Sequence, residues 1–76
     1  MATPRSNGRV PNKALRRARQ ERGLSQRDLA HKSGMTQVGI SHIESGRSQP
    51  RRSTQKLLAL TLGVSEEELF PQEDQA

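Results

Sequence analysis

The sequence predicts an all-α domain of five short helices, and three observations carry that prediction. One local device recurs along the chain: an apolar residue, a hydroxyl side chain, then an apolar residue at the fourth helical position. It appears as Leu24-Ser25…Leu29, Met35-Thr36…Ile40 and Val64-Ser65…Leu69, each a hydrophobic staple across an N-cap. Glycines stand where such helices should stop, at Gly23, Gly34, Gly46 and Gly63, as left-handed C-terminal positions favour. No stretch shows the apolar–polar alternation of a strand, and there is no internal repeat.

The elements follow in order. Residues 1–11 contain two prolines, one glycine and no periodicity, and read as a flexible basic N-terminal arm carrying Arg5 and Arg9. Asn12 is a fair cap for a first helix over about 13–22, with thin apolar content from Ala14, Leu15 and Ala18. Ser25…Asp28 resembles a capping box with Asp in place of the usual Glu or Gln, and Ser65…Glu68 fits one fully. These caps set the starts of the second, third and fifth helices. Pro50 forbids a helix running through the basic connection 46–52, so the fourth helix is expected at about Ser53–Leu62. The folded domain spans 12–70, and 71–76 form an acidic tail.

Composition narrows the function classes. At 76 residues and 29% apolar content, with Phe70 the sole aromatic, the chain has room for one small domain with a lean core. A second subunit would add stability. There is no cysteine, which excludes a disulfide frame or a thiolate zinc site, and His31 and His42 are too few for a metal cluster. No metal or cofactor is expected. No apolar run reaches the ~20 residues of a membrane span, and the amino end has no secretory signal, so a cytoplasmic, nucleoid-associated protein is expected. The formal charge of +5 is unevenly distributed: residues 1–56 hold all 13 Lys and Arg against three acids, and residues 57–76 hold five acids and no base. Such polarity places a polyanion at one end and water or a partner at the other.

Residues 25–46 carry the most specific signal. Two short helices meet at Ser33-Gly34-Met35. The crossing needs a small residue, supplied by Ala30. The turn needs positive φ, supplied by Gly34. The second helix needs an apolar edge, supplied by Ile40 and Ile43. This is the pattern of a helix-turn-helix that lays its second helix in a DNA major groove.

The motifs Leu24-Ser25-Gln26-x-x-Leu29-Ala30, Ser33-Gly34-Met35-Thr36, Ile40-Ser41-x-Ile43-Glu44-x-Gly46-x-x-x-Pro50 and Ala59-x-x-Leu62-Gly63-Val64 resemble the lambda-repressor-like helix-turn-helix family, of Xre or Cro/repressor type. The resemblance runs over about 12–70 without gaps. It implies a compact five-helix DNA-binding domain of a prokaryotic or phage transcription regulator that binds a near-palindromic operator as a dimer. One departure lies in the fourth helix. Positions 52 and 55, usually apolar in the family, hold Arg52 and Gln55, while Leu57 and Leu60 stand where polar residues are common. Either that helix is rotated, or it exposes these leucines to a second subunit.

At 100° per residue, Ile40, Ile43 and Glu44 share the inward side of the third helix and Val38, Ser41, His42 and Ser45 lie opposite, with Gln37 at the amino end. The expected base contacts are Gln37, Val38, Ser41 and His42. A glutamine amide pairs with adenine N6 and N7, a valine methyl packs on thymine, and a histidine donates to guanine or phosphate. The resemblance places Gln37 and Val38 at base-reading positions. Gly39 weakens the helix and is expected where the backbone nears DNA. Ser25, Gln26, Thr36, Arg47, Arg51 and Arg52 are the expected backbone contacts, with Arg5 and Arg9 reaching a minor groove or phosphates from the arm. Arg16, Arg17, Arg22 and Lys32 are read as a solvated face. Glu44 needs a cation from the first helix, and the resemblance points to Arg19, as a structural ion pair. Leu57, Leu60, Leu69 and Phe70 are the candidates for a homodimer interface, or for a protein partner such as a toxin or another regulator. Asp28 and His31 share a helix face without a nucleophile or oxyanion donor, so no enzyme is expected. The overall expectation is a repressor of double-stranded DNA targets.

Overall fold

A computed structural model describes residues 11–71; Arg5, Arg9 and the tail acids Glu73 and Asp74 lie outside them. The described residues form five helices and no strand: α1 (Lys13–Glu21), α2 (Gln26–Ser33), α3 (Gln37–Ser45), α4 (Arg52–Leu62) and α5 (Glu66–Leu69). The local signals determine the starts. Leu15 N–H donates to Asn12 Oδ1 at 2.9 Å. Ser25 and Asp28 satisfy each other's backbone N–H groups in a full capping box, and Ser65 and Glu68 do the same. Leu24, Met35 and Val64 pack against the core as the staples require.

The turn between α2 and α3 follows from Gly34, which takes φ +78°. This lets Met35 N–H reach back to Ala30 O at 2.9 Å and closes the last turn of α2. Ala30 is 4% exposed at the crossing, and α2 packs on α3 more extensively than any other helix pair does. The core gathers Leu15, Leu29, Ile40, Ile43, Leu58, Leu62 and Leu69 from all five helices.

Helix α4 starts at Arg52, one residue before the expected Ser53, with Arg51 as a cap that supplies no side-chain hydrogen bond. It buries Leu58, Ala59 and Leu62 and leaves Leu57 39% and Leu60 75% exposed. Both leucines are thus on the outer side of α4, the exposure that the second alternative requires. Gln55 keeps its place by donating from Nε2 to Pro50 O at 3.2 Å. One expectation fails. Leu69, expected at an intersubunit surface, is 1% exposed; as the apolar anchor of the α5 staple it is used up by the chain's own core. Phe70 is half-buried against the same cluster.

Asn12 ties three helix ends together. Its N–H donates to Glu44 O at 2.8 Å and its Nδ2 donates to Leu69 O at 2.9 Å. The start of α1 is thereby held beside the end of α3.

Candidate nucleic-acid interface

Helix α3 has a buried side and a free side. Ile40, Ile43 and Glu44 face inward, all at most 4% exposed. Gln37, Val38 and Ser45 are exposed, and Ser41 and His42 are half-buried. These five line one open depression together with Gln26 of α2 and Arg47 of the loop after α3. The four residues expected at bases therefore share a surface with two of those expected at the backbone. The same surface carries Ser45, which was not assigned a contact although its place on the outer helical face was legible.

The chemistry of this depression suits a base edge. Gln37 presents a donor and an acceptor on one planar amide. Val38 adds methyl groups that are 62% exposed, and Ser41 is small enough to leave room. Arg47 adds a positive charge at the rim. The amino end of α3 is capped by Thr36, whose Oγ1 accepts from Gly39 N–H at 3.0 Å. A Cβ built on Gly39 would stand 3.1 Å from that oxygen, so cap packing is a second reason, besides backbone approach, for a glycine there.

Beneath this face lies a buried polar cluster. Arg19 donates from Nε to Glu44 Oε2 at 2.7 Å and from Nη2 to Glu44 Oε1 at 3.1 Å. Its Nη1 donates to Leu24 O at 2.8 Å. Gln26 Nε2 donates to Glu44 Oε1 at 3.1 Å, and Arg16 Nε stands 3.7 Å from the same oxygen. Burial acts to raise the Glu44 carboxyl. The hydrogen bonds from Arg19 and Gln26, with the charges of Arg19 and Arg16, outweigh it and hold the carboxyl below its ordinary value. The hydrogen bond to Glu44 holds the Arg19 guanidinium above its ordinary value, against the opposing effect of burial. Helix α3 is thus fixed to α1 by a charged link and to α2 by an amide link. The Gln26 link has no sequence signature, because its partners are 18 residues apart.

The remaining expected contacts sit as follows. Ser25 is exposed at the start of α2, its hydroxyl accepting from Asp28 N–H at 2.9 Å. The backbone and side chain of Ser25 hold the Asp28 carboxyl below its ordinary value. Asp28 therefore serves as a cap, and it shares an open surface groove with His31. Arg47 and Arg51 are exposed around the α3–α4 connection. Arg52 points toward the acidic end instead, donating from Nε to Glu66 Oε1 at 3.1 Å. That pair is exposed on the arginine side, so it is weak. No helix among the described residues is long and apolar enough to cross a membrane.

Comparison with known proteins agrees with this geometry. The model of the family described as helix-turn-helix matches residues 15–69. The HTH-type transcriptional regulator PuuR of Escherichia coli (strain K12) is 43% identical over 63 residues, covering 83% of this chain and 34% of that protein. The chain thus spans about a third of the length of PuuR. The uncharacterized HTH-type transcriptional regulator y4dJ of Sinorhizobium fredii is 41% identical over 59 residues, covering 78% of this chain and 77% of that one. Among solved structures, the restriction-modification controller protein C.AhdI from Aeromonas hydrophila superimposes with a TM-score of 0.74 at 32% identity, covering 78% of this chain and 89% of that chain.

Proposed function

Because the chain belongs to the helix-turn-helix family, of Xre or Cro/repressor type, we propose that it is a DNA-binding transcription regulator that reads the major groove with the outer face of α3. The observation that carries this reading is the shared surface of Gln37, Val38, Ser41, His42 and Arg47, with Ile40 and Ile43 buried on the other side of the helix to anchor it. In this reading Gln37 and Val38 contact bases at the amino end of α3, with Ser41 and His42 following along the groove. Ser25, Gln26, Thr36, Arg47 and Arg51 contact the backbone on either side, and Arg5 and Arg9 extend the contact from the arm. The domain proper is 12–70.

The finer reading is a repressor acting at a near-palindromic operator. Two copies occupy half-sites about one helical turn apart and occlude polymerase. Exposed Leu57 and Leu60 on α4 supply the apolar part of the surface between copies, and PuuR and y4dJ are themselves transcriptional regulators by name. Such a protein works in the cytoplasm, at the nucleoid. Selection of bound duplexes from a random library, followed by footprinting, tests the proposal. A two-fold-related motif protected over two half-sites is expected. A library that yields no enriched motif would contradict it.

A further inference from the structure

The cluster around Glu44 holds one cation more than its carboxylate can satisfy. Both Glu44 oxygens accept from Arg19, and Oε1 also accepts from Gln26. Arg16 stands 3.7 Å from Oε1, beyond hydrogen-bond reach. Among the described residues the Arg16 side chain makes no hydrogen bond, and it is 54% exposed. Arg19 already neutralises Glu44, so among the described residues Arg16 keeps only a long 3.7 Å ion-pair contact to a carboxylate that another cation occupies. Its position is fixed by the fold: Asn12 pins the start of α1 to the end of α3, and Gln26, which shares the Glu44 oxygen, also lines the α3 depression.

We propose that Arg16 is a DNA-backbone contact, reaching a phosphate beside the start of α2 with the guanidinium donors that Glu44 leaves free. This rests on the DNA-binding reading and gives Arg16 a role beyond the solvated face expected of it. Glu44 orients the guanidinium through its Nε side while the Nη groups remain available to a phosphate oxygen. Gln26 holds the adjoining position, its Nε2 already engaged by Glu44, so one carboxylate positions two backbone contacts. The neighbouring Arg17 supplies an internal control. It lies a third of a turn away, in the groove between α1 and α5 with Glu21 and Glu68, on another side of the helix.

The test compares two variants of equal net charge, Arg16→Ala and Arg17→Ala, with the full chain. The readout is anisotropy titration of a mixed-sequence DNA duplex of about 20 base pairs across a salt series. Arg16→Ala should weaken binding about tenfold and reduce the slope of log K against log salt by about one. Arg17→Ala should change affinity about twofold or less, and Arg16→Lys should recover most of the slope. Melting temperatures close to that of the parent chain show that the fold is intact. If Arg16→Ala is too unstable to measure, Arg16→Gln gives the same comparison. Equal losses from the two positions would overturn the assignment, as would an unchanged slope in Arg16→Ala. Failure of the parent chain to bind any duplex would overturn the DNA-binding reading itself, a distinguishable result.

Discussion

Arg19 of α1 holds Glu44 of α3 through two hydrogen bonds, at 2.7 and 3.1 Å, across 25 residues of sequence. The carboxylate is 1% exposed and lies at the inner edge of α3, bonded to the Gln26 that also lines the depression. The link therefore sets the angle at which the outer face is presented.

Removing one partner strands the other. Glu44→Ala leaves the buried Arg19 guanidinium without its carboxylate and should destabilise the domain by about 3–5 kcal/mol. Ser41→Ala, on the free face, should stay within about 0.5 kcal/mol of the parent. Urea unfolding of both variants checks the contrast. Small and equal shifts would mean that the pair contributes no structural anchoring.

The same carboxylate governs acid stability. Glu44 sits below its ordinary value of 4.5 and Asp28 below 3.8, so the folded chain binds fewer protons than the unfolded chain as pH falls. Their contribution is complete above the unfolded values and is lost as pH falls through the lower folded ones. The urea midpoint should be nearly flat between about pH 7 and 6 and drop below about pH 4.5. Glu44→Gln should flatten the acid limb, and a variant with an unaltered limb would contradict the role assigned to Glu44.

Leu60 offers a different separation. At 75% exposed it contributes little to the monomer core. Leu60→Asp should leave thermal stability at high dilution within about 0.5 kcal/mol of the parent while abolishing self-association in sedimentation. An unchanged sedimentation profile, dimeric in both proteins, would remove α4 from the interface.

Cap chemistry predicts a smaller effect. Ser25→Ala breaks the capping box that starts α2 and should cost about 1 kcal/mol, read as a shift in urea midpoint. No shift would show that Leu24 and Leu29 alone fix the start of the helix.

Much of the fold was legible because its signals are local. A cap and its partner are three residues apart, a staple five, and Ser25, Thr36 and Ser65 each mark a helix start from such short spans. The inward edge of α3 followed from helical periodicity alone. The Glu44 cluster was legible only in part. A buried acid demands a cation, and family resemblance pointed to Arg19, but no spacing rule brings Gln26 or Arg16 to the same oxygen. Asn12 reaching Leu69 O across 57 residues is equally silent in sequence. Leu69 was misplaced because an apolar residue near a chain end reads alike as core or as interface; only packing of α5 against α1 and α4 decides it. The face of α4 stayed ambiguous for the same reason, since Leu57, Leu58, Leu60 and Leu62 leave more than one apolar edge available.

The most direct test of the central claim is duplex selection repeated with Gln37→Ala. If the outer face of α3 reads bases, the variant should lose preference at one base pair in each half-site, by about 1–3 kcal/mol, while retaining the flanking preferences and the parent's melting temperature. An identical enriched motif from the parent and the Gln37→Ala protein would contradict the claim that this face does the reading.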